Sequence, residues 1–391
     1  MKHEDFLARL TLEYPKTANQ SDVRSLVIPT LIAPLVVDLP KQWLADATRF
    51  VEIAFRGIRE NNVVTERLRC LAPEVPRPNH ASALMSYDFH VDFRSRPEGE
   101  LKLIEINTNA SMSLLLDVLN CELHVGRCLK EDFLDDFAED LGRRLNGTKV
   151  VIVDESPKSQ KLYVEFLMYK ELFESRGAEA RIADRTDLEF HDGRLWLKED
   201  PKFGPIDLVY NRLTDFYFES TESQALHKAM HANACVISPH PFDYRVLADK
   251  ARLVEWCKAG SLEGDGLSQA DADFYRSILI NTRDTAGLDP EQLWKERKGL
   301  IFKPKTSHGG KGVYRGSSVS RGAFQSVIET GALAQDFVPA PTMKLGEEEF
   351  KYDLRFFAYK DRINIACARL YQGQMTNATT PGGGVAAVSW S

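Results

Sequence analysis

The sequence predicts a mixed α/β protein in which α+β subdomains accompany a parallel sheet, and three stretches carry this prediction. Residues 149–183 read as strand, helix and strand, which is the repeating unit of a parallel sheet. Residues 84–107 hold two runs of alternating side chains joined by a turn, which is typical of a hairpin. Residues 301–316 combine an apolar strand, a glycine-rich turn and a second strand.

The composition is that of a soluble globular protein, with 43% hydrophobic and 27% charged residues among 391. A net charge of −7 argues against a general nucleic-acid-binding surface. The first residues are charged rather than apolar, and no apolar run approaches the roughly 20 residues of a membrane span. We therefore predict a cytoplasmic protein that binds neither nucleic acid nor membrane.

The six cysteines are scattered through the chain without a CxxC pair. This pattern favours reduced thiols over a disulfide framework or a zinc site. Cys121, His124 and Cys128 lie close in sequence, but a fourth metal ligand is not evident. We therefore expect free thiols and no metal at this cluster.

The first 75 residues read mostly as helices that serve as a scaffold. Apolar side chains recur at three- and four-residue steps in residues 6–12 and 43–55. Three prolines interrupt residues 28–40, so this segment is predicted to be an extended connection rather than a helix.

The hairpin at residues 84–107 carries a candidate metal site. In its first run, alternation places Asp88, His90 and Asp92 on one face. In the second run, alternation puts four residues on one face: Leu101, Leu103, Glu105 and Asn107. Carboxylate and amide oxygens gathered on rigid strands suit Mg²⁺ bound to phosphates. The alternative is a solvated polar strand face.

The next part of the chain predicts helices and parallel strands. Residues 117–145 read as helical and amphipathic, and residues 161–176 as a helix that Gly177 ends. The apolar strand at residues 206–212 ends in Asn211 and Arg212. Ligands gather beyond the carboxyl ends of parallel strands, so these two residues and Asp215 are candidate substrate contacts. An ordinary strand-to-loop exit is the alternative.

The C-terminal part holds the candidate phosphate clamp. A helix is predicted over residues 246–257 with Lys250 near its start, followed by charged helices in residues 261–298. Lys303 then precedes Gly309, Gly310 and Lys311. Glycines let backbone N–H groups approach a phosphate, and lysines supply charge. The Walker A spacing is absent, and a surface hairpin with solvated lysines is the alternative.

Further strands follow this hairpin. Residues 332–338 end in Gln335-Asp-Phe-Val338, and residues 349–359 place Arg355 on one face with Lys351 and Asp353. Residues 363–371 carry Arg369, and a second glycine-rich loop follows at residues 381–384.

This order of elements resembles the ATP-grasp superfamily, which holds ATP between two α+β subdomains. The resemblance implies that Lys250 and Lys303 contact the ATP phosphates, and that the loop at residues 309–312 closes over them. It also implies that Gln335 belongs to a hinge strand in which the backbone of Asp336 and Val338 binds adenine.

The position of one motif predicts a circular permutation. An ATP-grasp domain usually finishes with a strand carrying E-x-N, the Mg²⁺ ligands. Here Glu105-Ile-Asn107 lies in the N-terminal half, and no such strand follows the second glycine loop. We therefore expect a circularly permuted ATP-grasp fold with an inserted parallel-sheet substrate domain, because nearby surface termini tolerate permutation.

The permuted order is similar to eukaryotic-type glutathione synthetase. The pieces that carry the resemblance are Ser86-Tyr-Asp88, Ile104–Thr108 with Ser111 and Ser113, Asp207–Arg212, Ala248-Asp-Lys250, Phe302-Lys-Pro304 and Gly382–Ala387. The chain departs from the family at residues 306–308, where an acidic metal ligand is usual, and at Arg369-Leu370, where the family has Arg-Thr-Lys.

The resemblance implies an ATP-dependent carboxylate–amine ligase that forms an amide through an acyl phosphate and releases ADP and phosphate. The catalytic residues would be Arg355, Arg369 and Lys303. The ATP site would be formed by Lys250, Lys303, Gly309, Gly310, Lys311, Gln335, Asp336 and Val338. The metal ligands would be Asp88, Glu105 and Asn107, with Asp92 as the alternative to Asp88. The substrate contacts would be Ser111, Asn211, Arg212, Gly383 and Gly384.

The same resemblance implies three domains and a homodimer. Residues 1–147 would be a helical scaffold with the metal-binding hairpin, residues 148–245 the substrate domain, and residues 246–391 the ATP-grasp subdomains with two glycine-rich lids. A phosphotransferase or a catalytically silent nucleotide-binding module would use the same clamp, and the residues leave both alternatives open.

Overall fold

The computed structural model describes residues 3–20, 23, 27, 30–71, 74–305 and 312–391. Its strands in chain order are β1 (Ile32–Leu39), β2 (Met85–Asp92), β3 (Glu100–Asn107), β4 (Lys149–Asp154), β5 (Glu179–Asp184), β6 (Leu188–His191), β7 (Arg194–Leu197), β8 (Leu208–Asn211), β9 (Val236–Ser238), β10 (Thr282–Asp284), β11 (Leu300–Lys303), β12 (Tyr314–Arg315), β13 (Leu333–Asp336), β14 (Thr342–Leu345), β15 (Glu348–Tyr359), β16 (Arg362–Tyr371) and β17 (Gly384–Trp390).

The α-helices connect and cover these strands. They are His3–Glu13, Pro15–Ala18, Lys41–Glu52, Asn62–Arg69, Ser113–Leu123, Lys130–Leu141, Tyr163–Ser175, Gln224–His231, Pro241–Asp243, Ala251–Trp256, Ser261–Gly264, Gln269–Ile278, Pro290–Glu296 and Arg321–Glu329. Two π-helical segments, Ile53–Arg59 and Tyr244–Ala248, extend helices that precede them. Within the described ranges, no helix is both long and apolar enough to cross a bilayer.

The largest sheet has seven strands and joins distant parts of the chain. Its order is β1-β17-β16-β15-β2-β3, and the seventh strand, β14, also pairs with β15. β1 and β17 are parallel, and the other neighbours are antiparallel. The predicted extended connection at residues 28–40 is therefore an edge strand over Ile32–Leu39. The hairpin of β2 and β3 lies beside strands that come more than 200 residues later.

Alternation along β15 divides two hydrophobic cores between the faces of this sheet. Leu354 and Phe356 pack in a core with the helix Lys41–Glu52, whereas Phe357 and Tyr359 pack with the helix Ser113–Leu123. Because side chains alternate along a strand, Arg355 shares the face of Phe357. Arg355 therefore lies on the same face of the sheet as the second hydrophobic core.

A β-bulge corrects the predicted faces of the hairpin. Asp88 pairs with Glu105, but the next residue, Phe89, pairs with Leu103, so Ile104 is an extra residue in β3. A bulge shifts the alternation by one. Leu101 and Leu103 consequently enter the first core, while Glu105 turns to the face of Asp88, so the prediction that all four residues share a face was wrong.

The predicted parallel sheet is confirmed. Its order is β5-β4-β8-β9, and every neighbouring pair is parallel. The helix Tyr163–Ser175 connects β4 to β5. The carboxyl ends of β4 and β8 therefore meet at one edge of the sheet, as the strand–helix–strand reading requires.

A predicted helical region and a predicted helix are each interrupted by a turn. Residues 117–145 form the helices Ser113–Leu123 and Lys130–Leu141, because the carboxylate of Asp117 accepts the N–H groups of Leu129 (2.6 Å) and Lys130 (3.1 Å) and holds a turn there. Residues 246–257 are interrupted at Asp249, whose side chain accepts the N–H of Ala251 at 2.9 Å.

A disulfide joins Cys121, in the helix Ser113–Leu123, to Cys128, in the turn that follows this helix. The prediction that all thiols are free was wrong for these two residues. Sequence spacing does not reveal that the helix ends at Leu123 and that the chain doubles back within seven residues. Cys70, Cys235, Cys257 and Cys367 are free thiols, as predicted.

A separate four-stranded antiparallel sheet contains β11, the strand that ends at Lys303. Its order is β10-β13-β11-β12, and the helix Arg321–Glu329 covers it through Phe324, which packs edge-on against Phe302. Lys303 ends β11 and faces away from that apolar core toward the seven-stranded sheet. The cleft between the two sheets contains the residues described next.

Candidate active site

Two adjoining cavities occupy the cleft. The first has a volume of about 410 Å³ and lies between β3 and the sheet of β11 and β13. The second has a volume of about 770 Å³ and extends to the carboxyl ends of β4 and β8. Both cavities are bounded by four of the same residues: Asn107, Arg355, Arg369 and Thr376. The cavities therefore meet at the two arginines.

One end of the first cavity combines lysines with a carboxylate. The Nζ of Lys303 donates to the carbonyl of Ile104 at 3.3 Å, and the bulge makes that carbonyl available because Ile104 has no partner residue in the ladder. The Nζ of Lys250 lies 3.7 Å from Oε2 of Glu105. The predicted phosphate and metal residues are thus brought together from three distant segments.

The charge of Lys303 depends on this environment. Burial lowers its pKa to about 8, and the positive charge of Lys250 acts in the same direction, against the attraction of Glu105 and Asp88. At neutral pH the ammonium group is still mostly protonated. It is a buried cation whose neighbours only partly compensate its desolvation, which favours the arrival of an anion.

The other end of this cavity is the predicted hinge. The Asp336 N–H already donates to the carbonyl of Asn281 at 2.9 Å, and the amide of Gln335 donates to Thr282 Oγ1 at 3.0 Å. The Val338 carbonyl accepts from Nδ1 of His90 at 2.9 Å. Among the described residues, none accepts the N–H of Val338.

The floor where the cavities meet is organised by Asp88. Arg355 donates to both of its carboxylate oxygens, at 2.8 and 2.7 Å, and Arg369 donates at 2.9 Å. The amide of Asn107 adds a bond at 3.1 Å. Burial alone would raise the pKa of Asp88, but the two guanidinium groups outweigh it and keep that pKa below its ordinary value. Asp88 is an anion that holds two arginines.

Asp353 completes the same floor from β15. It is fully buried, accepts from Nε of Arg369 at 2.6 Å and accepts from the hydroxyl of Thr376. Thr376 belongs to the loop between β16 and β17. Asp353 therefore ties this loop to the arginine that borders both cavities.

Asp92, the alternative metal ligand, lies outside this arrangement. It pairs with Glu100 across the hairpin and forms an ion pair with Arg94, with a shortest distance of 2.7 Å. It lies four residue steps along the strand from Asp88, which is roughly 13 Å. The structure thus separates Asp92 from Glu105 and gives its carboxylate another partner.

In the second cavity, Arg212 is held from several sides. It donates to the carbonyl of Ala110 at 2.7 Å, to the hydroxyl of Tyr210 at 3.3 Å and to the hydroxyl of Ser111. Arg212 and Ser111 both line the cavity. Asn211 does not line it, because its buried side chain bonds to the carbonyl of Pro239 and the N–H of Leu213.

Only one of the two predicted glycine-rich lids, the loop at residues 381–384, lies entirely within the described residues. Gly309, Gly310 and Lys311 lie outside the described residues. Gly384 borders the second cavity, and it has a φ of +111° where β17 passes Leu31 so closely that a Cβ would lie 2.3 Å from its carbonyl carbon. At Gly383 a Cβ would lie 2.5 Å from the carbonyl oxygen of Leu370. These two glycines permit close backbone packing, and Gly384 is the first residue of β17, so the second predicted lid ends in the sheet.

Sequence reasoning missed the acidic and basic residues contributed by β4 and the segment after it. Asp154, Gln160 and Lys161 line the second cavity. Burial raises the pKa of Asp154 to about 6, although the charge of Arg212 opposes the shift. The rule that ligands gather at carboxyl strand ends would have found Asp154, since it ends β4 as Asn211 ends β8. Lys161 donates to the carbonyl of Ala378 and so joins the parallel-sheet region to the loop after β16.

Comparison with known proteins gives fold-level similarity. No protein-family model and no curated protein matches the sequence. A glutathione synthetase-like effector from Globodera pallida, solved in its apo form, matches with a TM-score of 0.58 at 10% identity over 100% of this chain and 98% of that one. A candidate γ-glutamylcysteine synthetase from Methylobacillus flagellatus matches with a TM-score of 0.47 at 10% identity, over 87% of this chain and 85% of that one. The chain therefore has a mixed α/β fold similar to that of a glutathione synthetase-like protein.

Proposed function

We propose that this chain is an ATP-dependent carboxylate–amine ligase that forms an amide bond and releases ADP and phosphate. One observation carries the proposal. A cavity with lysines and a glutamate at one end opens, past Arg355 and Arg369, into a second polar cavity at the edge of a parallel sheet. This is the arrangement that a reaction between a nucleotide and two smaller substrates requires.

The proposed ATP site is the first cavity, and the proposed fold is a circularly permuted ATP-grasp. The cavity lies between two sheets, with Lys303 and Asp336 on one side and Glu105 and Asp353 on the other. The permutation is supported by the seven-stranded sheet, in which the hairpin at residues 85–107 pairs with β15. The adenine ring of ATP would accept a hydrogen bond from the Val338 N–H at the hinge. The phosphates of ATP would lie toward Lys250 and Lys303.

The residues at the lysine end fit Mg²⁺ bound through Glu105 and Asn107. The side chain of Glu105 is 30% exposed, and Asn107 donates its amide to Asp88, which leaves its carbonyl oxygen for a ligand. In the described part of the chain, no three acidic, histidine or cysteine side chains cluster as a complete metal cage. That suits Mg²⁺, which commonly takes one or two protein oxygens together with phosphate and water oxygens. When bound, it would neutralise charge on the phosphates.

Asp88 fits a metal less well than its neighbours do. Its oxygens already accept from Arg355, Arg369 and Asn107. A divalent cation on this carboxylate would lie beside two guanidinium groups and be repelled by them. We therefore assign Asp88 to the arginines in the proposed mechanism, and the prediction that it binds metal stays a prediction.

The proposed reaction has two steps. A substrate carboxylate oxygen attacks the γ-phosphorus, the bond from that phosphorus to the bridging oxygen breaks, and ADP leaves. An amine nitrogen then attacks the acyl carbon, the acyl–oxygen bond breaks, and phosphate leaves as the amine loses its proton. Lys303 and Lys250 would neutralise the transferring phosphoryl group, and Arg355 and Arg369 would orient the carboxylate.

The second cavity supports separate recognition of a carboxylate and an amine. Arg355 and Arg369 lie where it meets the ATP cavity, and Asp154 lies at the carboxyl end of β4. Cationic and anionic groups at different positions suit substrates that carry both charges. The carboxylate would thus meet the γ-phosphate at the arginines while the amine approaches from the parallel sheet.

An ADP-release screen tests the proposal. The purified chain, ATP and Mg²⁺ are combined with amino acids, γ-glutamyl dipeptides and polyamines, singly and in pairs. We expect ADP release that depends on substrate and, with hydroxylamine replacing the amine, a hydroxamate product. A stable phosphorylated product without hydroxamate would favour a phosphotransferase. ATP binding without substrate-stimulated ADP release would favour a silent nucleotide-binding module.

A further inference from the structure

His90 on β2 lies between the two ends of the first cavity. Its ring contacts Val338, the last residue of the hinge. Lys303 and Arg369 line the same cavity, and Asp88, two residues from His90 on this strand, pairs with Glu105 at the lysine end. β2 thus brings one half-buried imidazole to the middle of the cavity, two residues from Asp88 on the same face.

The hydrogen bond to Val338 fixes the orientation of this ring. A carbonyl oxygen only accepts, so Nδ1 of His90 must carry the hydrogen in the 2.9 Å bond. In the neutral ring, Nε2 then has a lone pair and is an acceptor. No described residue donates to Nε2. The protein thus holds an oriented acceptor at the cavity wall without supplying its donor.

Two other acceptors that line this cavity, Asp353 and the Val338 carbonyl, are already engaged. Asp353 receives Arg369 and Thr376, and the Val338 carbonyl receives His90 itself. Lys351, which also lines the cavity, is a donor and bonds to the carbonyl of Gly373 at 2.6 Å. A ligand group that donates a hydrogen toward the His90 ring therefore meets an acceptor, Nε2, to which no described residue donates.

We propose that His90 is a specificity residue of the nucleotide site and that its Nε2 accepts a hydrogen bond from a ribose hydroxyl. This inference rests on the proposed function, since it requires a nucleotide in the first cavity. The middle of a nucleoside triphosphate that runs from the hinge to the lysines is its sugar, and the sugar presents two hydroxyl donors. A 2′- or 3′-deoxynucleotide would leave the acceptor without its partner.

Two substitutions separate the acceptor from the hinge contact. His90→Asn places an amide N–H where Nδ1 lies, so it keeps the donor to Val338 and removes Nε2. His90→Gln reaches further and supplies an amide oxygen near the position of Nε2. Thermal unfolding of both variants shows whether each retains the fold, and Gln tests the proposal even where Asn destabilises the chain.

Equilibrium binding of ATP, 2′-deoxyATP, 3′-deoxyATP and inosine triphosphate tests the proposal without turnover. In the unmodified chain we expect one deoxynucleotide to bind about tenfold more weakly than ATP, as the loss of one hydrogen bond implies. In His90→Asn, ATP should weaken about tenfold and equal that deoxynucleotide, whereas His90→Gln should restore part of the discrimination.

Three alternative results of these binding measurements would each overturn a specific claim. An unchanged ratio of ATP to deoxyATP affinity in His90→Asn would overturn the role of His90. Loss of discrimination against inosine triphosphate alone would mean that the ring reads the base amine, and the ribose assignment would be wrong. Failure of the unmodified chain to bind any nucleotide would instead overturn the proposed function.

Discussion

The carboxylate of Asp88 receives two hydrogen bonds from Arg355, from Nε at 2.8 Å and from Nη2 at 2.7 Å. Asp88 is fully buried in this bidentate pair, and Arg369 joins it from the next strand. Both arginines border the two cavities, so their position relative to a substrate carboxylate depends on Asp88. The pair connects the stability of the sheet with the proposed chemistry.

Removing the charge of Asp88 should both destabilise the chain and misplace the arginines. We expect Asp88→Asn to lower the free energy of unfolding by about 3–5 kcal/mol, because two largely buried guanidinium groups lose the anion that they share, even though Arg369 keeps Asp353. Urea unfolding measures this effect. Asp92→Asn is the matched control on the same strand, and it should cost less than about 1 kcal/mol, since its partner Arg94 is 57% exposed.

The same variant distinguishes an arginine anchor from a metal ligand. If Asp88 positions arginines, Asp88→Asn raises the KM for the carboxylate substrate and leaves the Mg²⁺ concentration for half-maximal ADP release unchanged. A large rise in the required Mg²⁺ with an unchanged substrate KM would contradict the anchor and favour the original metal prediction.

Lys303 and Glu105 should be essential for turnover but not for folding. We expect Lys303→Ala and Glu105→Ala each to reduce ADP formation at least about 100-fold, because both remove charge stabilisation at the phosphates. The measurement is steady-state ADP release beside a circular dichroism spectrum. Lys305→Ala is the control, since Lys305 pairs with Asp284 outside the cavity. Near wild-type turnover in either cavity variant would refute the site assignment.

ATP binding should take up protons near pH 8. Burial lowers the pKa of Lys303 to about 8, so the free site is half deprotonated there. Phosphates raise that pKa, and linkage then requires uptake of about half a proton per ATP at pH 8 and weaker binding above it. Calorimetry in two buffers of different ionisation enthalpy measures the uptake. Lys303→Arg, which stays charged, should abolish it, and persistent uptake in that variant would assign the proton elsewhere.

Asp140 should make stability fall as pH rises. Burial raises its pKa from 3.8 to about 8, against the hydrogen bonds that it accepts from Ser238 and Tyr359. A raised carboxyl pKa means that the folded state binds the extra proton. The contribution of Asp140 to the free energy of unfolding is therefore full below about pH 4 and declines through pH 8, by at most about 1.4 kcal/mol per pH unit.

Asp140→Asn isolates this contribution. An asparagine keeps the shape and stays neutral, so the variant should match the unmodified chain near pH 3.5 and exceed its stability at pH 8.5. Urea unfolding at the two pH values measures the difference. Parallel pH dependence in both proteins would show that Asp140 is not the titrating group.

Local patterns predicted the elements whose signal is contained in a short stretch. The strand–helix–strand unit at β4 and β5, the hairpin of β2 and β3, and the strand ending at Arg212 all have this property, because periodicity and a terminal glycine act within a few residues. Asp117 and Asp249 interrupt a predicted helical region and a predicted helix by accepting backbone N–H groups. Periodicity does not report such bonds, since it records which face is apolar and not which backbone groups are occupied.

The sequence by itself determined which residue types are available: lysines, arginines, a glutamate and an asparagine at strand ends, and glycines where backbones approach. Tertiary structure decided what each one meets. The bulge at Ile104 turned Glu105 toward the cleft and presented a carbonyl to Lys303. Asp88 met Arg355 across 267 residues, and that partnership follows from the pairing of β2 with β15. Such pairing is set by packing of the whole sheet, which no local pattern contains.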